Sequence, residues 1–241
     1  MDEIQVDRVP TGIPGLDEMI RGGLERNSNV LVAGTCGTGK TTFCMQYIYN
    51  GAVQFNEPGV YVSFEETTGK LKKHMLQYGW DLQRLEDEGK VRILRIAPKE
   101  VMHIIKEEYG EILNAINDIQ AKRVVIDSVS SIEIMIDNEF DRKENAIKLC
   151  EWLTSHNCTS FIVSESEQAT TQYTRHGIME FVVDGIIILY NVRKENTRVN
   201  ALEILKMRGT KHYKSLVPFD FDRGIIVFPQ EQVFTPQVGV T

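Results

Sequence analysis

The sequence lacks the features that mark membrane-embedded and secreted proteins. No stretch approaches the roughly 18 consecutive apolar residues that a membrane-spanning helix needs. The N-terminus, Met1-Asp2-Glu3, is acidic and leads into no apolar core, so the sequence predicts no secretory signal peptide. We therefore expect no membrane insertion, and a soluble protein of the cytoplasm.

Cysteine is scarce, and basic charge is outweighed by acidic charge. The cysteines form no C-x-x-C pair and no zinc-finger spacing with histidine, so we expect free, buried thiols in a reducing cytoplasm. They are Cys36, Cys44, Cys150 and Cys158. The formal net charge is −7, and non-specific nucleic-acid binding depends on basic contacts to phosphates. This composition disfavours a protein that coats DNA, although a local basic groove is compatible with it.

What is present is enough apolar material for a large core. Hydrophobic residues make up 42% of the 241 residues, which fits one large α/β domain or at most two small ones. Apolar, β-branched segments alternate with longer amphipathic ones, which predicts a mainly parallel central sheet with helices on both faces. Predicted strands are 29–33, 59–64, 91–96, 123–127 and 159–164, and predicted helices are 40–54, 68–77, 81–88, 101–120 and 141–156.

The pattern changes after about Phe181, where strand-like segments follow one another with short polar connections. This predicts antiparallel strands along one edge of the sheet, at 185–192, 199–206, 213–219 and 224–228. We find no linker, and therefore expect a single domain over residues 1–241. Its core would cover about 6–228, and the polar residues 229–241 would form a tail or an arm on a neighbouring subunit.

A complete phosphate-binding loop, G-x-x-x-x-G-K-T, lies between the first buried strand and a predicted helix. Its glycines let backbone N–H groups curl around phosphates, and the helix N-terminus adds its positive dipole end. Lys40 would reach the β- and γ-phosphates, Thr41 would ligate Mg²⁺, and Thr42 would lie on the α-phosphate side. A glycine-rich turn that merely ends a strand is the weaker alternative. The loop residues are Gly34, Thr35, Cys36, Gly37, Thr38, Gly39, Lys40 and Thr41.

Carboxylates follow two other predicted strands. Asp127 ends the strand Arg123–Asp127, where ligands collect in open α/β sheets, so we expect it to hold Mg²⁺ together with Thr41. Glu65 and Glu66 directly follow a second strand, and hydrolysis needs a water aligned on the γ-phosphorus. One of them would orient that water, with Glu65 favoured. The alternative is a solvated turn.

Taken together, these segments resemble the RecA/KaiC superfamily, and KaiC more than RecA, RadA or DnaB. The resemblance covers about residues 6–228, with the phosphate loop among its motifs. The other motifs are Pro10–Asp17, Gly22–Leu24, Val60–Glu66, Val124–Ser128, Phe181–Asp184 and Leu202–Thr210. It implies a RecA-like ATPase core that assembles into a hexameric ring, with ATP between adjacent subunits and the base within Glu65-Glu66.

The resemblance also implies residues that act on the neighbouring subunit's nucleotide. Lys206 and Arg208 match the Lys-x-Arg of the family's late strand, which reaches the neighbour's γ-phosphate. On a strand, positions i and i+2 share a face, so two cations there can clamp a terminal phosphate; a solvated strand edge is the alternative. Further nucleotide contacts implied by the resemblance are Met207, Thr210 and His212, with Gln77 near the base or ribose and Asp222 near the base.

The chain also departs from the KaiC pattern. KaiC carries two such domains in tandem, whereas this sequence carries one, and we find no counterpart of the autophosphorylated Ser/Thr pair. We therefore predict neither autokinase activity nor a role in a clock, but a Mg²⁺-dependent ATPase whose hydrolysis drives a conformational or partner-binding signal. The alternatives are a RecA/RadA- or DnaB-like ATPase acting on DNA, which strong stimulation by single-stranded DNA would favour, and a switch with little turnover.

The polar segment Glu165–Gly177 corresponds to a loop that faces the central channel in RecA-like rings. Tyr173, Arg175 and His176 are candidates for contact with nucleic acid or protein there. We favour a loop inside the ring that senses the nucleotide state.

Overall fold

The computed structural model describes residues 6–97, 99–100, 110–166, 173–174, 176–194 and 196–233. Its strands are β1 (Arg8–Val9), β2 (Leu24–Glu25), β3 (Asn29–Gly34), β4 (Gly59–Ser63), β5 (Val91–Arg95), β6 (Arg123–Asp127), β7 (Thr159–Glu165), β8 (Gly185–Lys194), β9 (Thr197–Met207), β10 (Val217–Phe221) and β11 (Ile225–Val227). Within this part of the chain, nine strands form one sheet in the order β11-β10-β9-β8-β3-β7-β6-β4-β5. The remaining two, β1 and β2, pair as a separate antiparallel hairpin.

The sheet has a parallel body and an antiparallel edge. Strands β8, β3, β7, β6, β4 and β5 pair in parallel, and β9, β10 and β11 extend the sheet in antiparallel pairs. In β3 every residue is buried, as expected of a parallel strand that is covered on both faces. The predicted fold class is confirmed.

Helices cover both faces of the sheet, and the sheet separates the interior into two hydrophobic cores. Because side chains alternate along a strand, Val30 and Val32 of β3 face one core and Leu31 and Ala33 face the other. The helices are α1 (Leu16–Met19), α2 (Lys40–Gln54), α3 (Thr68–Leu76), α4 (Leu82–Asp87), α5 (Glu111–Ile119), α6 (Ser130–Glu133), α7 (Glu139–Ser155) and α8 (Met179–Val182). Helices α2, α3 and α4 pack on the first core, and α5, α6 and α7 pack on the second.

Most predicted elements occur within a few residues of their expected bounds, and one predicted strand is shifted. The strand expected at 213–219 is observed at Val217–Phe221. The segment before it is drawn instead to the N-terminal region, where the Tyr213 N–H donates to the carbonyl of Met19 at 3.1 Å. Helices α1, α6 and α8 and the β1–β2 hairpin were not predicted, because two to four residues are too few to display a period. Residues 101–109 of the helix expected at 101–120 lie outside the described residues.

The N-terminal motif folds around a carboxylate. Asp17 accepts hydrogen bonds from the Thr11 N–H (2.8 Å), the Thr11 hydroxyl (2.7 Å) and the Gly12 N–H (3.0 Å). Burial raises the pKa of Asp17 despite these donors. The Pro10–Asp17 motif therefore has a structural role in closing this turn.

The described beginning of the predicted tail lies against the domain. Val233 is 4% exposed, and the Gln230 side chain donates to Glu18 at 2.7 Å. Residues 234–241 lie outside the described residues. Among the helices that the structure describes, none has the length and apolar character needed to cross a membrane.

A buried cation joins several elements on one side of the sheet. The guanidinium of Arg123 is fully buried and pairs with Glu57 at 2.7 Å. It also donates to the carbonyls of Tyr47 (3.0 Å) and Pro10 (2.7 Å), and it stacks over the ring of Tyr47 at 4.5 Å. The first residue of β6 therefore ties helix α2 to the N-terminal segment.

We predict that Arg123→Leu destabilises the domain by about 3–5 kcal/mol, because Glu57 loses its buried partner and keeps only the ion pair with Arg26, and two buried carbonyls lose their donor. Urea denaturation followed by circular dichroism, at matched protein concentration, measures the change. The control is Arg84→Leu, which removes an arginine on α4 with a side chain 60% exposed and which we expect to unfold close to wild type. Equal midpoints for the two variants would contradict a structural role for Arg123.

Candidate active site

The phosphate-binding loop connects β3 to α2. Gly37 and Gly39 have φ values of 79° and 90°, which favour glycine, and Gly39 caps helix α2. The Lys40 ammonium donates to the carbonyls of Gly34 and Thr35, both at 2.9 Å, and Lys40 is 8% exposed. The loop therefore places a desolvated positive charge beside its backbone N–H groups.

Close packing requires a glycine at the start of the loop. A Cβ atom on Gly34 would lie 2.5 Å from the carbonyl oxygen of Leu189 and 2.7 Å from the hydroxyl of Thr38. Thr38 is fully buried, and its hydroxyl donates to the Thr35 carbonyl at 2.9 Å. Gly34, Thr35 and Thr38 thus shape the loop from beneath.

The remaining loop residues line a cleft of about 320 Å³ together with the carboxylates that follow the neighbouring strands. The structure brings together the predicted phosphate loop, the predicted metal-binding residues and both predicted glutamates. The lining residues are Cys36, Gly37, Gly39, Lys40, Thr41, Thr42, Ser63, Glu65, Glu66, Asp127 and Glu165.

Asp127 is held at the inner wall of this cleft by two hydroxyl groups. Its Oδ2 atom accepts hydrogen bonds from the Thr41 hydroxyl at 3.0 Å and from the Tyr61 hydroxyl at 2.5 Å. Burial raises the pKa of Asp127, and the bonds from Tyr61 and Thr41 oppose this increase. Burial, followed by the charge of Asp127, raises the pKa of Tyr61, so its phenol remains a donor. A buried carboxylate of this kind is stabilised by a cation.

The two glutamates follow β4 and have different partners. Glu65 Oε1 accepts a hydrogen bond from the Ser131 hydroxyl at 2.8 Å. Glu66 Oε1 lies 3.4 Å from Nδ1 of His74 on helix α3. Both carboxylates therefore remain at the cleft, each beside a separate neighbour.

A second wall next to the loop comes from the end of the chain. A Cβ atom on Gly39 would lie 2.6 Å from the ring of Phe221, so β10 packs directly on the N-terminus of α2. A Cβ atom on Gly224, in the β10–β11 turn, would lie 2.6 Å from the ring of Trp80. The side chains of Asp222, in this turn, and Gln77, at the end of α3, are exposed, and their contacts with a nucleotide remain predictions.

Lys206 and Arg208 lie elsewhere. They are at the end of the sheet where the parallel strands begin, whereas the phosphate loop is at the end where these strands finish. Lys206 Nζ donates to the carbonyls of Glu180 (3.0 Å) and Val183 (2.6 Å), at either end of α8. Arg208 donates to the carbonyl of Phe181 at 3.2 Å and to Asp184 Oδ1 at 3.1 Å. Burial, followed by the charge of Arg208, lowers the pKa of Lys206.

Residues next to these cations in the sequence were predicted to contact a nucleotide, but they are enclosed by their own chain. The Met207 side chain is 8% exposed and packs on Gly185. Thr210 is buried and its hydroxyl accepts a hydrogen bond from Arg8 at 3.1 Å. Nδ1 of His212 lies 3.2 Å from the Thr210 carbonyl. Nucleotide contacts by Met207, Thr210 and His212 remain predictions.

Sequence reasoning missed several residues of the cleft. Tyr61, Ser63 and Glu165 lie on or just beneath its walls, and Ser131 reaches Glu65 from helix α6. Tyr61 lies in β4, which pairs with β6 in a register that sets Ser63 opposite Asp127. This pairing of the two strands is the signal that could have placed Tyr61 near Asp127. Of the predicted loop at 165–177, residues 167–172 and Arg175 lie outside the described residues, and contacts of Tyr173 and His176 with nucleic acid or protein remain predictions.

This sheet and this cleft define a P-loop nucleotide-binding domain with a RecA-like core. A sequence model of the KaiC ATPases matches residues 9–232, and the chain belongs to the KaiC family, as a KaiC-like ATPase of the RecA superfamily.

Curated relatives and a solved structure agree with this assignment. The chain is 39% identical over 231 residues to the circadian clock oscillator protein KaiC of Synechococcus elongatus, covering 93% of this chain and 44% of that protein. It is 36% identical over 233 residues to KaiC of Prochlorococcus marinus, covering 94% of this chain and 46% of that protein. The chain thus spans less than half the length of these relatives. The crystal structure of a KaiC-like protein from Pyrococcus horikoshii OT3 superposes with a TM-score of 0.83 at 37% identity, covering 93% of this chain and 100% of that chain.

We predict that Lys40→Ala weakens the binding of a fluorescent ATP analogue at least about tenfold, because the variant removes the desolvated charge from the loop. Equilibrium fluorescence titration measures the dissociation constant. The control is Lys73→Ala, which removes an exposed lysine of helix α3 and should bind the analogue as wild type does. Equal affinities for the two variants would show that Lys40 does not contact the phosphates.

Proposed function

We propose that this protein is a Mg²⁺-dependent ATPase that binds ATP between adjacent subunits of a homo-hexameric ring in the cytoplasm. Hydrolysis there would drive a conformational or partner-binding signal. The observation that supports this proposal is the division of the predicted site between the two ends of the parallel strands. The phosphate loop, Asp127 and the glutamates lie where these strands finish, and Lys206 and Arg208 lie where they begin.

The distance along the strands between the phosphate loop and the level of Lys206 and Arg208 follows from strand register. Gly34, at the start of the phosphate loop, pairs with Leu189 of β8, whereas Met207 of β9 pairs with Gly185. Four residues along β8 separate these levels, which is about 13 Å at roughly 3.3 Å per residue. Lys206 and Arg208 also extend further away, toward α8. Neither can reach a phosphate on its own chain's loop, so a role at the γ-phosphate requires a second copy.

A metal at this site would depend on the nucleotide. Thr41 and Asp127 offer a hydroxyl and a carboxylate oxygen 3.0 Å apart, which are the hard oxygen ligands that Mg²⁺ prefers. Among the described residues, no cluster of three or more histidine, cysteine or acidic side chains could hold a metal alone. This arrangement fits Mg²⁺ carried by phosphates and water, where the ion would neutralise charge between the phosphates.

The glutamates supply the remaining chemistry. Either carboxylate at the cleft can accept a proton from water and align that water with a γ-phosphate bound at the loop. Glu65 is the favoured base, because its carboxylate is anchored at 2.8 Å by Ser131. Lys40 would stabilise the charge on the phosphates.

A route for the conformational signal begins at Lys206 and Arg208. Lys206 and Arg208 donate to the carbonyls of Glu180, Phe181 and Val183, in and beside α8. Arg208 is 53% exposed, so its ion pair with Asp184 is weak and exchangeable. If these cations turn to a neighbour's phosphate, α8 loses hydrogen bonds to its carbonyl groups. Nucleotide state in one subunit would thereby alter the structure of the next.

We predict that subunit mixing restores activity between two variants that are nearly inactive alone. Lys40→Ala binds ATP weakly and lacks the charge at its phosphates but offers Arg208, whereas Arg208→Ala holds ATP but offers no arginine. In a random 1:1 mixture about a quarter of the interfaces combine both intact halves, so roughly a quarter of wild-type phosphate release should return. Phosphate release is measured after assembly has been verified by native mass spectrometry.

The control mixture combines Arg208→Ala with the Lys40→Ala/Arg208→Ala double variant, which can form no complete interface and should stay inactive. If both mixtures are equally inactive although mixed rings assemble, the site is not shared between subunits.

We also predict that single-stranded DNA leaves the rate of ATP hydrolysis within about twofold of its basal value, because the net charge of −7 disfavours phosphate contacts. Phosphate release is compared with and without a single-stranded oligonucleotide, at low and at physiological salt. Stimulation by several-fold that disappears at high salt would instead favour a DNA-dependent ATPase of the RecA/RadA or DnaB kind.

A further inference from the structure

The two glutamates at the cleft are held to different degrees. Ser131 donates its hydroxyl to Glu65 at 2.8 Å, which is a well-formed hydrogen bond to a carboxylate. The corresponding contact of Glu66, with Nδ1 of His74, is 3.4 Å long, and the His74 side chain is 52% exposed. A histidine nitrogen also donates only in one tautomer or when protonated. Glu65 therefore has the firmer anchor.

The backbone that carries Ser131 is fixed from both sides. The segment after β6 is tied to β7, because the Val129 N–H donates to the Val163 carbonyl at 2.9 Å. The hydroxyl of Ser130, adjacent to Ser131, accepts a hydrogen bond from the Glu165 N–H at 2.9 Å. Helix α6 is thus locked to the end of β7, and Ser131 has little backbone freedom.

The backbone before Glu65 is fixed to the same strand end. The Phe64 N–H donates to the Asp127 carbonyl at 2.9 Å, directly after the register pair of Ser63 and Asp127. Glu65 and Ser131 therefore extend from neighbouring strand ends whose separation is set by main-chain hydrogen bonds. What remains to be fixed is the conformation of the Glu65 side chain, and the Ser131 hydroxyl fixes it.

We propose that Ser131 is a positioning residue for ATP hydrolysis, holding Glu65 by one carboxylate oxygen so that the other can orient the attacking water. This inference rests on the proposed function, with Glu65 as the base. Among the described residues, Oε2 of Glu65 has no hydrogen-bond partner, so one oxygen is anchored and the other is available.

An anchor matters here because Glu65 is exposed at the cleft. A free glutamate samples several rotamers, and the loss of this conformational entropy opposes its ordering at the cleft. A bound nucleotide that displaces water from the cleft also strengthens the hydrogen bond. Displacing a catalytic group by about 1 Å can lower a rate by up to roughly a hundredfold, whereas the affinity for ATP depends on the phosphate loop.

The test compares Ser131→Ala with Ser131→Thr in the full chain. We expect Ser131→Ala to lower kcat about tenfold or more, with the dissociation constant for ATP and the thermal midpoint near wild type. Ser131→Thr keeps a hydroxyl and should restore most of kcat. A matched control is Ser155→Ala, which removes a serine hydroxyl that donates to a helix carbonyl at 2.8 Å and should leave kcat unchanged.

Two further variants separate this inference from the proposed function. Ser131→Ala should cause no additional loss in single-turnover hydrolysis when Glu65→Gln is already present, but a full loss when Glu66→Gln is present. A wild-type kcat for Ser131→Ala, or a loss that Thr does not restore, overturns the role of Ser131 while hydrolysis by Glu65 stands. Full activity of Glu65→Gln overturns the assignment of the base, and the positioning role fails with it.

Discussion

The parallel pairing of β3, β7, β6 and β4 is the constraint on which the rest of the structure depends. In a parallel sheet all carboxyl ends meet at one edge, and register decides which residues become neighbours there. It pairs Gly34 with Glu165 and Ser63 with Asp127, so the loop and the carboxylates share one cleft. The buried, apolar strands make this arrangement rigid, and the short segments after them can therefore carry chemistry with little freedom of their own.

The structural features that depend on local sequence patterns were predicted from the sequence. The phosphate loop, Asp127 and the glutamates each follow an apolar strand, and the change of pattern after about Phe181 marks the antiparallel edge that the structure has. Tyr61 and Ser131 could not be found in this way, because their importance arises from hydrogen bonds to Asp127 and Glu65 across the sheet. A residue whose role depends on register is visible only after the strands have been paired.

The late strand shows a different limit of sequence reasoning. The i, i+2 spacing places two cations near each other, but it does not say what they contact. In the folded chain Lys206 and Arg208 satisfy carbonyls in and around α8, and the enclosure of Thr210 by Arg8 was likewise not evident. Their resting contacts are intramolecular, so assembly of a shared site would exchange hydrogen bonds, and Asp184 would give up its ion pair with Arg208.

The contact between Gly39 and Phe221 has a consequence for the order in which the protein matures. The phosphate loop is encoded near the start of the chain, yet one side of it is formed by a ring close to the end. Gln46 of α2 likewise bonds both the N–H and the carbonyl of Ile225. During synthesis, the loop therefore stays without this support until nearly the whole domain has left the ribosome. The firm placement of the phosphate loop is therefore shared between two parts of the chain that are distant in sequence, and it depends on the strands that complete the antiparallel part of the sheet.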